Sequence, residues 1–391
     1  MAMQRKTLYA KDNRPADLSR QGDHVDLPFL MLVLILLVLG LVMLYSASYA
    51  QSEYDTGYQS SVRYFQKQAV CAGIGLAAFW FFSRIPVQLW FRLAWPLYAL
   101  SILLLLSVLL VGEEVNGARR WINLAGLQFQ PSEVAKFTLI LLLARLTRGF
   151  GSQAKQFRFG VLGFGAALLG ILVPLALEKH LSAIMLMGMV AVVMMFVAGT
   201  RARWLLAGAG GAVAFVAVYV SLMGYAGDRI SAWLHPELDP GDTGYQILQS
   251  LYAIGSGGLF GLGFGKSRQK YLYLPFQYND YIFAVICEEL GLVGALCMIV
   301  LFCALILRGY WIALRARDRF STVLAAGLIT LIAVQTILNL CVVTNLLPST
   351  GISLPFFSYG GTALAVNLGE MGIVAQISRF RNHRKIQEVS L

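Results

Sequence analysis

The sequence predicts an all-α integral membrane protein with ten transmembrane helices and a large extracytoplasmic loop between helices 7 and 8. Three observations predict this class. The 391-residue chain is 58% hydrophobic and only 13% charged, whereas about a quarter of the residues in soluble domains are charged. Apolar runs of about 20 residues recur along the chain, and each is long enough to cross a bilayer as a helix. The runs are continuously apolar, which excludes the short alternating strands of a barrel.

Each apolar run defines one predicted element, and the polar segments define the rest. The two tails and the membrane domain between them are residues 1–26 (a disordered cytoplasmic tail), 27–378 (the membrane domain) and 379–391 (a basic cytoplasmic tail). The ten spans are predicted at residues 27–48, 68–83, 93–112, 132–147, 160–177, 182–199, 205–224, 290–309, 322–344 and 362–378.

The distribution of positive charge predicts the orientation of these spans. An even number of spans places both termini on one side, and most of the 31 Lys and Arg residues fall in the tails and loops of that side. Loops rich in Lys and Arg stay in the cytoplasm. Both termini are therefore predicted to be cytoplasmic, in a bacterial cytoplasmic membrane, with the active face extracytoplasmic.

Composition and motifs also exclude several functions. The net charge of +11 reflects topology, and no basic segment is interleaved with aromatic residues on a soluble domain, so no nucleic-acid partner is expected. Residues 260–267 end like a P-loop, but Phe260 occupies the position of the required first glycine, which argues against ATP binding. The five cysteines show no metal-ligand spacing.

The first polar outer segment is a predicted loop at 113–131 that leads into the fourth span. Glu133 and Lys136 are three residues apart, so they share one face of that helix. One interpretation is structural: an interfacial ion pair, with Arg119, Arg120 and Trp121 as anchors at the membrane edge. The other is a binding site for an anionic headgroup, because Arg offers phosphate a bidentate contact.

The second outer segment is the predicted loop at 225–289. Asp239 precedes a proline and is either a turn former or a catalytic carboxylate. A glycine-rich stretch follows, in which backbone N–H groups with Lys266, Arg268 and Lys270 would cradle a phosphate. Near the eighth span, Asp280, Glu288 and Glu289 fit a structural network as well as direct chemistry, while Glu370 in the tenth span is predicted to face the bundle interior.

Four stretches together resemble the SEDS (shape, elongation, division and sporulation) family, the family of FtsW, RodA and SpoVE. The resemblance extends from about residue 27 to 380 and is closer to the FtsW and SpoVE branch than to RodA. It rests on NGARRWINLAGLQFQPSEVAK, DTGYQILQSLYAIGSGGLFGLGFGKSRQKYLYLP, NDYIFAVICEELGLVG and LPFFSYGG.

The resemblance implies a ten-helix peptidoglycan glycosyltransferase that joins lipid II units, releases undecaprenyl diphosphate and inverts the anomeric carbon. It implies a class B penicillin-binding protein as partner, with membrane lipid and divisome or elongasome proteins around the pair. Asp239 matches the family's catalytic Asp. The residues expected to bind substrate are Arg119, Arg120, Trp121, Glu133, Lys136, His180, Lys266 and Ser358.

The chain departs from the family pattern at two places. His180 stands where many relatives have an acid, and it follows Lys179 where they have proline. A metal or headgroup role carried by that acid is therefore in doubt here. Phe276 replaces an acidic residue after Leu-Pro, so a contact with substrate or partner is expected to differ.

No cofactor is required by the sequence, and a divalent cation such as Mg or Mn would fit the departure of a diphosphate, with ligands unknown. Two other functions remain open. A lipid II flippase would use the same basic residues without needing a base, and a non-catalytic scaffold would only recruit the penicillin-binding protein. The sequence does not distinguish division, elongation and sporulation.

Overall fold

The computed structural model describes residues 24–115, 118–124, 127–151, 153, 156–208, 210–211, 214, 232–238 and 243–380. These residues form a helical bundle with one small sheet. The helices are α1 Leu27–Asp55, α2 Arg63–Phe82, α3 Val87–Val111, α4 Pro131–Phe150, α5 Phe164–Leu177, α6 Leu181–Val197, α7 Thr243–Ser256, α8 Ile282–Leu314, α9 Arg319–Val343 and α10 Gly361–Ser378. A π-helical turn, Arg158–Gly163, leads directly into α5.

The helical membrane class is confirmed. Five of the described helical stretches are long and apolar enough to cross a bilayer: α1, α3, α8, α9 and the segment Arg158–Leu177 that includes α5. Every predicted span except the seventh coincides with a helix. The seventh, at 205–224, lies mostly outside the described residues. The protein is thus a multi-pass membrane protein, although α2, α4 and α10 are too polar, and α6 is too short, to be identified as spans by composition alone.

The outermost helices expose large apolar side chains, as a bilayer requires. On α8, Leu292, Leu296 and Val300 are each half or more exposed. By contrast, 78% of the most apolar stretch of α9 is buried, because α9 packs against α4, α6, α8 and α10. α4 and α10 are likewise buried over most of their length, so they lie inside the bundle.

Glycine allows α2 and α10 to form the most extensive helix–helix contact in the described bundle. A Cβ added at Gly372 would lie 2.4 Å from the carbonyl oxygen of Phe79. A Cβ added at Gly75 would lie 2.6 Å from a methyl carbon of Leu368. Small residues bring membrane helices close together because apolar burial alone does not drive their association in lipid.

Both ends of the described bundle meet at one face, which we call the basal end and define by Asp26 and Ser378. Asp26 caps α1 by accepting a hydrogen bond from Phe29 N, and its own N–H donates to Ser378 Oγ (3.0 Å). Its carboxylate also forms a bidentate ion pair with Arg308 at 2.8 and 2.9 Å. Asp26, which the prediction assigns to the cytoplasmic tail, therefore belongs to the bundle, where a helix N-terminus and a cation hold its carboxylate.

We call the opposite face the loop end and define it by residues 113–129. Here the structure corrects the predicted loop at 113–131. That segment forms a three-stranded antiparallel meander of β1 Glu113–Val115, β2 Ala118–Leu124 and β3 Leu127–Phe129. β1 pairs with β2 and β2 with β3. The dipeptide Asn116-Gly117 between the first two strands is a strong hairpin signal that the prediction of a loop overlooked.

The long loop predicted at 225–289 is also partly regular. It contains α7, whose Ser250 hydroxyl donates to Val343 O at the end of α9 (2.9 Å). The next helix, α8, begins at Ile282, eight residues before the predicted 290. Its backbone is non-helical at Gly291 (φ 66°, ψ −168°), so α8 consists of two helical segments. The apolar pattern therefore located the second segment and missed the first.

Candidate functional site

The candidate site begins at the N-terminus of α4. Pro131 occupies the first turn, where its missing N–H costs nothing, and Glu133 follows it. The Lys136 ammonium lies 2.6 Å from a carboxylate oxygen of Glu133, and both side chains are buried, at 5% and 9% exposed. The predicted pairing of these residues is confirmed, in a setting much less exposed than the membrane surface.

Arg120 connects the sheet to the turn between α5 and α6. Its Nη2 donates to the carbonyl oxygen of Lys179 (2.5 Å), and its Nε lies 3.5 Å from the backbone carbonyl oxygen of Glu178. Lys179 has a positive φ of 55°, a conformation that costs energy for a side chain other than glycine. Since successive strand residues point to opposite faces, Arg120 turns towards this turn while Arg119 points the other way.

The turn carries two buried ionisable groups. Burial raises the pKa of Glu178 to about 8, although the charge of Arg120 lowers it. Burial, and then the positive charges of Arg120 and Lys136, lower the pKa of His180 to about 3. His180 is therefore a neutral imidazole at physiological pH, and the Glu178 carboxyl is mostly protonated there.

Glu370 completes this group from α10. We call the six residues Arg120, Glu133, Lys136, Glu178, His180 and Glu370 the Lys136 cluster. Apart from Glu133 Oε2, which is ion-paired with Lys136, three of them keep buried atoms without a hydrogen-bond partner in the described part of the chain: Glu178 Oε1, His180 Nδ1 and both carboxyl oxygens of Glu370. Buried polar atoms are nearly always satisfied in native proteins. Such a concentration of open acceptors and donors beside a cation indicates a site for a polar ligand.

A second buried ion pair lies at the same end. The Lys270 ammonium donates to Glu289 Oε1 (2.9 Å), Ser46 Oγ (3.0 Å) and Gly265 O (2.6 Å). Ser46 also donates to Glu289. The adjacent Glu288 accepts from the Ser267 hydroxyl and from the N–H groups of Arg268 (2.9 Å) and Gln269 (3.3 Å). We call these residues the Lys270 network.

The Lys270 network corrects the predicted phosphate cradle. Lys270 is fully occupied, and the N–H groups of Leu262 and Gly263 donate to the carbonyl oxygens of Glu288 and Glu289. A Cβ at Gly261 would lie 2.1 Å from Glu289 O. The glycines therefore allow two backbone segments to meet at the start of α8. Two interpretations were open for Glu288 and Glu289, direct chemistry and a structural network, and the structure shows the network.

The remaining predicted binding residues are not members of the Lys136 cluster, and they differ in exposure. Lys266 is exposed on the glycine-rich segment, Arg119 is exposed on β2, and Trp121 is half-buried. Ser358 is buried, and its hydroxyl donates to Asn279 O (2.6 Å) and accepts from Leu354 N (2.8 Å). Its side chain joins two loops. Substrate contact by these residues stays a prediction.

Asp239 lies outside the described residues, so its carboxylate has no position here. The chain on both sides of it is at the loop end. Trp233 Nε1 donates to Asn345 O (3.0 Å) just beyond α9, and a 3₁₀ turn, Pro236–Leu238, ends one residue before Asp239. On the other side α7 begins at Thr243.

Among the described residues, no group of three His, Cys, Asp or Glu side chains is placed to hold a metal ion. The Glu and His side chains of the Lys136 cluster are therefore not arranged as a set of metal ligands. Cation use stays a prediction for measurement.

The helical bundle, with its buried ionic cluster at the loop end, places this chain in the class of multi-pass membrane proteins. The model of the family described as cell cycle protein, named for FtsW, RodA and SpoVE, matches residues 27–383. The chain belongs to this family. The match covers the whole predicted membrane domain.

Curated relatives and solved structures agree with that membership. Stage V sporulation protein E of Bacillus subtilis is 38% identical over 361 residues, 92% of this chain and 98% of the relative. The probable peptidoglycan glycosyltransferase FtsW of Geobacter sulfurreducens is 38% identical over 363 residues, with 92% and 96% covered.

Among solved structures, a chain from a study of how a peptidoglycan synthase complex coordinates polymerization and crosslinking has a TM-score of 0.76. It is 30% identical, with 91% of this chain and 98% of that one covered. The rod shape determining protein RodA of Thermus thermophilus has a TM-score of 0.67 at 29% identity, with 94% and 100% covered.

Proposed function

We propose that this chain is a peptidoglycan glycosyltransferase that joins lipid II disaccharide units into glycan strands and releases undecaprenyl diphosphate. Near-complete coverage of relatives with that printed activity supports the reaction class. The observation that carries the assignment of a site is the Lys136 cluster, in which a buried ammonium lies among polar atoms without partners at the loop end.

The reaction needs a base, a cation for the leaving group and alignment of two sugars. Asp239 takes the proton from the 4-hydroxyl of the acceptor, and that oxygen attacks the anomeric carbon of the donor as the bond to the diphosphate breaks. The configuration inverts. Lys136 and Arg120 stabilise the negative charge that develops on the departing diphosphate, and Arg119 and Lys266 supply further positive charge at the exposed edge.

The orientation and partner follow from the same proposal. Ten spans cross the membrane, namely α1–α6, α8–α10 and the predicted span at 205–224. The basal end with both termini is cytoplasmic, and the loop end is extracytoplasmic. The meeting of the start of α1 and the end of α10 at Asp26 supports a shared side for the termini. Similarity to a chain of a peptidoglycan synthase complex supports a class B penicillin-binding protein as partner. Co-purification from the native membrane tests this pairing.

The direct test of the activity is polymerisation of lipid II by the purified full-length chain with its co-purified partner. Asp239→Asn removes the base and keeps the size of the side chain, so the rate should fall by about 100-fold or more. Glu237→Gln is the matched control, because Glu237 is a nearby acid whose side chain is 64% exposed. Normal turnover by a folded Asp239→Asn variant would contradict the base assignment.

The same preparation distinguishes the other functions. A flippase would move lipid II between the leaflets of a vesicle at the same rate with Asp239→Asn and would form no glycan with either chain. A scaffold would bind the penicillin-binding protein normally in every loop-end variant, with no change in lipid II chemistry.

A further inference from the structure

The irregular segment between α7 and α8 carries exposed apolar side chains at residues 257–264, which we call the 257–264 segment. Leu259 is 62% exposed, Phe260 80% and Phe264 50%. Neighbouring apolar side chains left exposed in this way mark a surface that contacts a membrane or a partner. Which of the two it is depends on the depth of the segment relative to α8.

Backbone hydrogen bonds fix that depth. Leu292 N donates to Gly258 O (2.9 Å). Val293 N donates to Leu259 O (3.1 Å). The 257–264 segment therefore lies at the level where the second helical segment of α8 begins, and it supplies acceptors for N–H groups that a helix start leaves open.

Glycine makes this close approach possible. A Cβ added at Gly257 would overlap the carbonyl oxygen of Cys287. A Cβ added at Gly291 would overlap the backbone nitrogen of Gly261. Irregular backbone is tolerated at membrane depth only where protein satisfies its polar groups, and α8 does so for this segment.

The second segment of α8 shows what surrounds the chain at this level. It begins with Leu292 and Val293, 50% and 48% exposed, and continues with Leu296, which is 50% exposed. In a helix long and apolar enough to span a bilayer, such side chains face hydrocarbon. Leu259 and Phe260 lie beside the start of this lipid-facing surface and continue it.

The residues that follow fit the boundary between hydrocarbon and water. Lys266 and Arg268 come directly after Phe264, and both are exposed. Aromatic rings collect at membrane–water interfaces, and Lys and Arg side chains there reach anionic lipid headgroups.

We propose that the 257–264 segment is a membrane anchor that inserts Leu259 and Phe260 into the acyl-chain layer of the leaflet at the loop end. Its partner is lipid, with phosphate groups beside Lys266 and Arg268. The anchor goes beyond the proposed reaction and does not depend on which ligand the Lys136 cluster binds.

The experiment measures the depth of a spin label on the full-length chain in nanodiscs of phosphatidylethanolamine and phosphatidylglycerol. The label is attached at Phe260→Cys, and its collisions with oxygen and with a water-soluble nickel chelate give its depth. The two buried cysteines, Cys71 and Cys287, stay in place. The other three are replaced by alanine: Cys297, Cys303 and Cys341.

The chain offers its own reference for lipid. Cys297 is exposed on the second segment of α8, so a label on it, with Cys303 and Cys341 replaced, reports hydrocarbon. Cys297 lies four to five residues beyond the level of Leu292 and Val293. At a rise of about 1.5 Å per residue, the label at Phe260→Cys should be roughly 6–8 Å shallower than the one on Cys297, and still within the acyl chains.

Tyr58→Cys is the matched control for water. Tyr58 is also an exposed aromatic residue, at 81%, and lies just beyond the end of α1 at the same end of the bundle. It is followed by the polar residues Gln59, Ser60 and Ser61. Its label should be fully accessible to the nickel chelate. If Phe260→Cys fails to fold, Leu259→Cys gives the same measurement.

A label at Phe260→Cys that is as accessible to the chelate as the one at Tyr58→Cys would overturn the anchor. Protection that appears only when the co-purified partner is present would overturn it as well, because the surface would then belong to a protein contact. Finally, Phe260→Glu should move a label at Leu259→Cys towards water, since a charge in hydrocarbon is costly. A label that keeps its depth would show that Phe260 does not hold the segment in lipid.

Discussion

The Lys136 cluster and the Lys270 network are two buried lysine–glutamate sites at the same end of one bundle, and they are built in opposite ways. In the Lys270 network the ammonium has three partners, and the neighbouring carboxylates accept hydrogen bonds from side chains and backbone. In the Lys136 cluster the ion pair is surrounded by carboxyl and imidazole atoms without partners in the described chain.

The difference shows what each site is built to do. A buried charge network with every partner present fixes one geometry, here the union of the glycine-rich segment with α1 and α8. A network left incomplete is destabilising by itself, and persists where a ligand completes it. The same residue types therefore serve structure in the Lys270 network, whereas the proposed function gives those of the Lys136 cluster a role in binding.

The largest effect on stability is expected from Lys270→Met. The Lys270 and Glu289 side chains are 3% and 0% exposed, so removal of the ammonium leaves a buried carboxylate uncompensated. Breaking such a pair costs about 3–5 kcal/mol. Thermal unfolding in detergent measures the loss. A variant as stable as the wild type would show that the Lys270 network does not hold the fold.

A smaller loss is expected from Glu288→Gln. The carboxylate accepts three hydrogen bonds at the start of α8, and the amide cannot accept from all three donors as strongly. The free energy of unfolding should fall by about 1–3 kcal/mol. Hydrogen exchange of the Arg268 and Gln269 amides checks the site directly, since both should exchange faster if these bonds matter.

In the Lys136 cluster, a Glu→Gln substitution should stabilise the fold instead of destabilising it. The pKa of Glu178 is raised from 4.5 to about 8, so its contribution to stability is fully present below about pH 4.5 and is lost as pH rises towards about 8. Glu178→Gln removes that loss. The variant should be more stable than the wild type near pH 8, by roughly 1–2 kcal/mol, and equal to it near pH 4.

Unfolding curves at several pH values test this sign. Destabilisation of Glu178→Gln at every pH would mean that the glutamate is satisfied in the folded protein, and the contrast between the two sites would fail. Glu289→Gln is the matched control, because the same substitution in the Lys270 network should destabilise the protein.

The smallest effect on stability is expected from Lys266→Met. Lys266 is exposed only four residues from Lys270, so the free energy of unfolding should change by less than about 0.5 kcal/mol. Affinity for lipid II should fall moderately, and the fall should shrink at high salt because exposed charges are screened. A loss of stability comparable to that of Lys270→Met would contradict the assignment of Lys266 to the surface.

Much of the bundle could be predicted because apolar runs report lipid-facing helices directly. The pairing of Glu133 with Lys136 followed from helix spacing, and the functional family from four motifs. The Lys270 network could not be predicted in detail, because Lys270 and Glu289 are 19 positions apart and an irregular segment lies between Lys270 and the start of α8 at Ile282. The break at Gly291 could not be predicted either, because hydropathy depends on the polarity of the side chains and not on the conformation of the backbone.

The most direct test of the central claim is the nitrogen–phosphorus dipolar coupling between labelled lysine side chains and bound lipid II, measured by solid-state NMR. If the Lys136 cluster holds the diphosphate, a strong coupling should appear in the wild type, persist in Lys266→Met and disappear in a folded Lys136→Met variant. A coupling that survives Lys136→Met unchanged, or that depends on Lys266 alone, would place the diphosphate elsewhere.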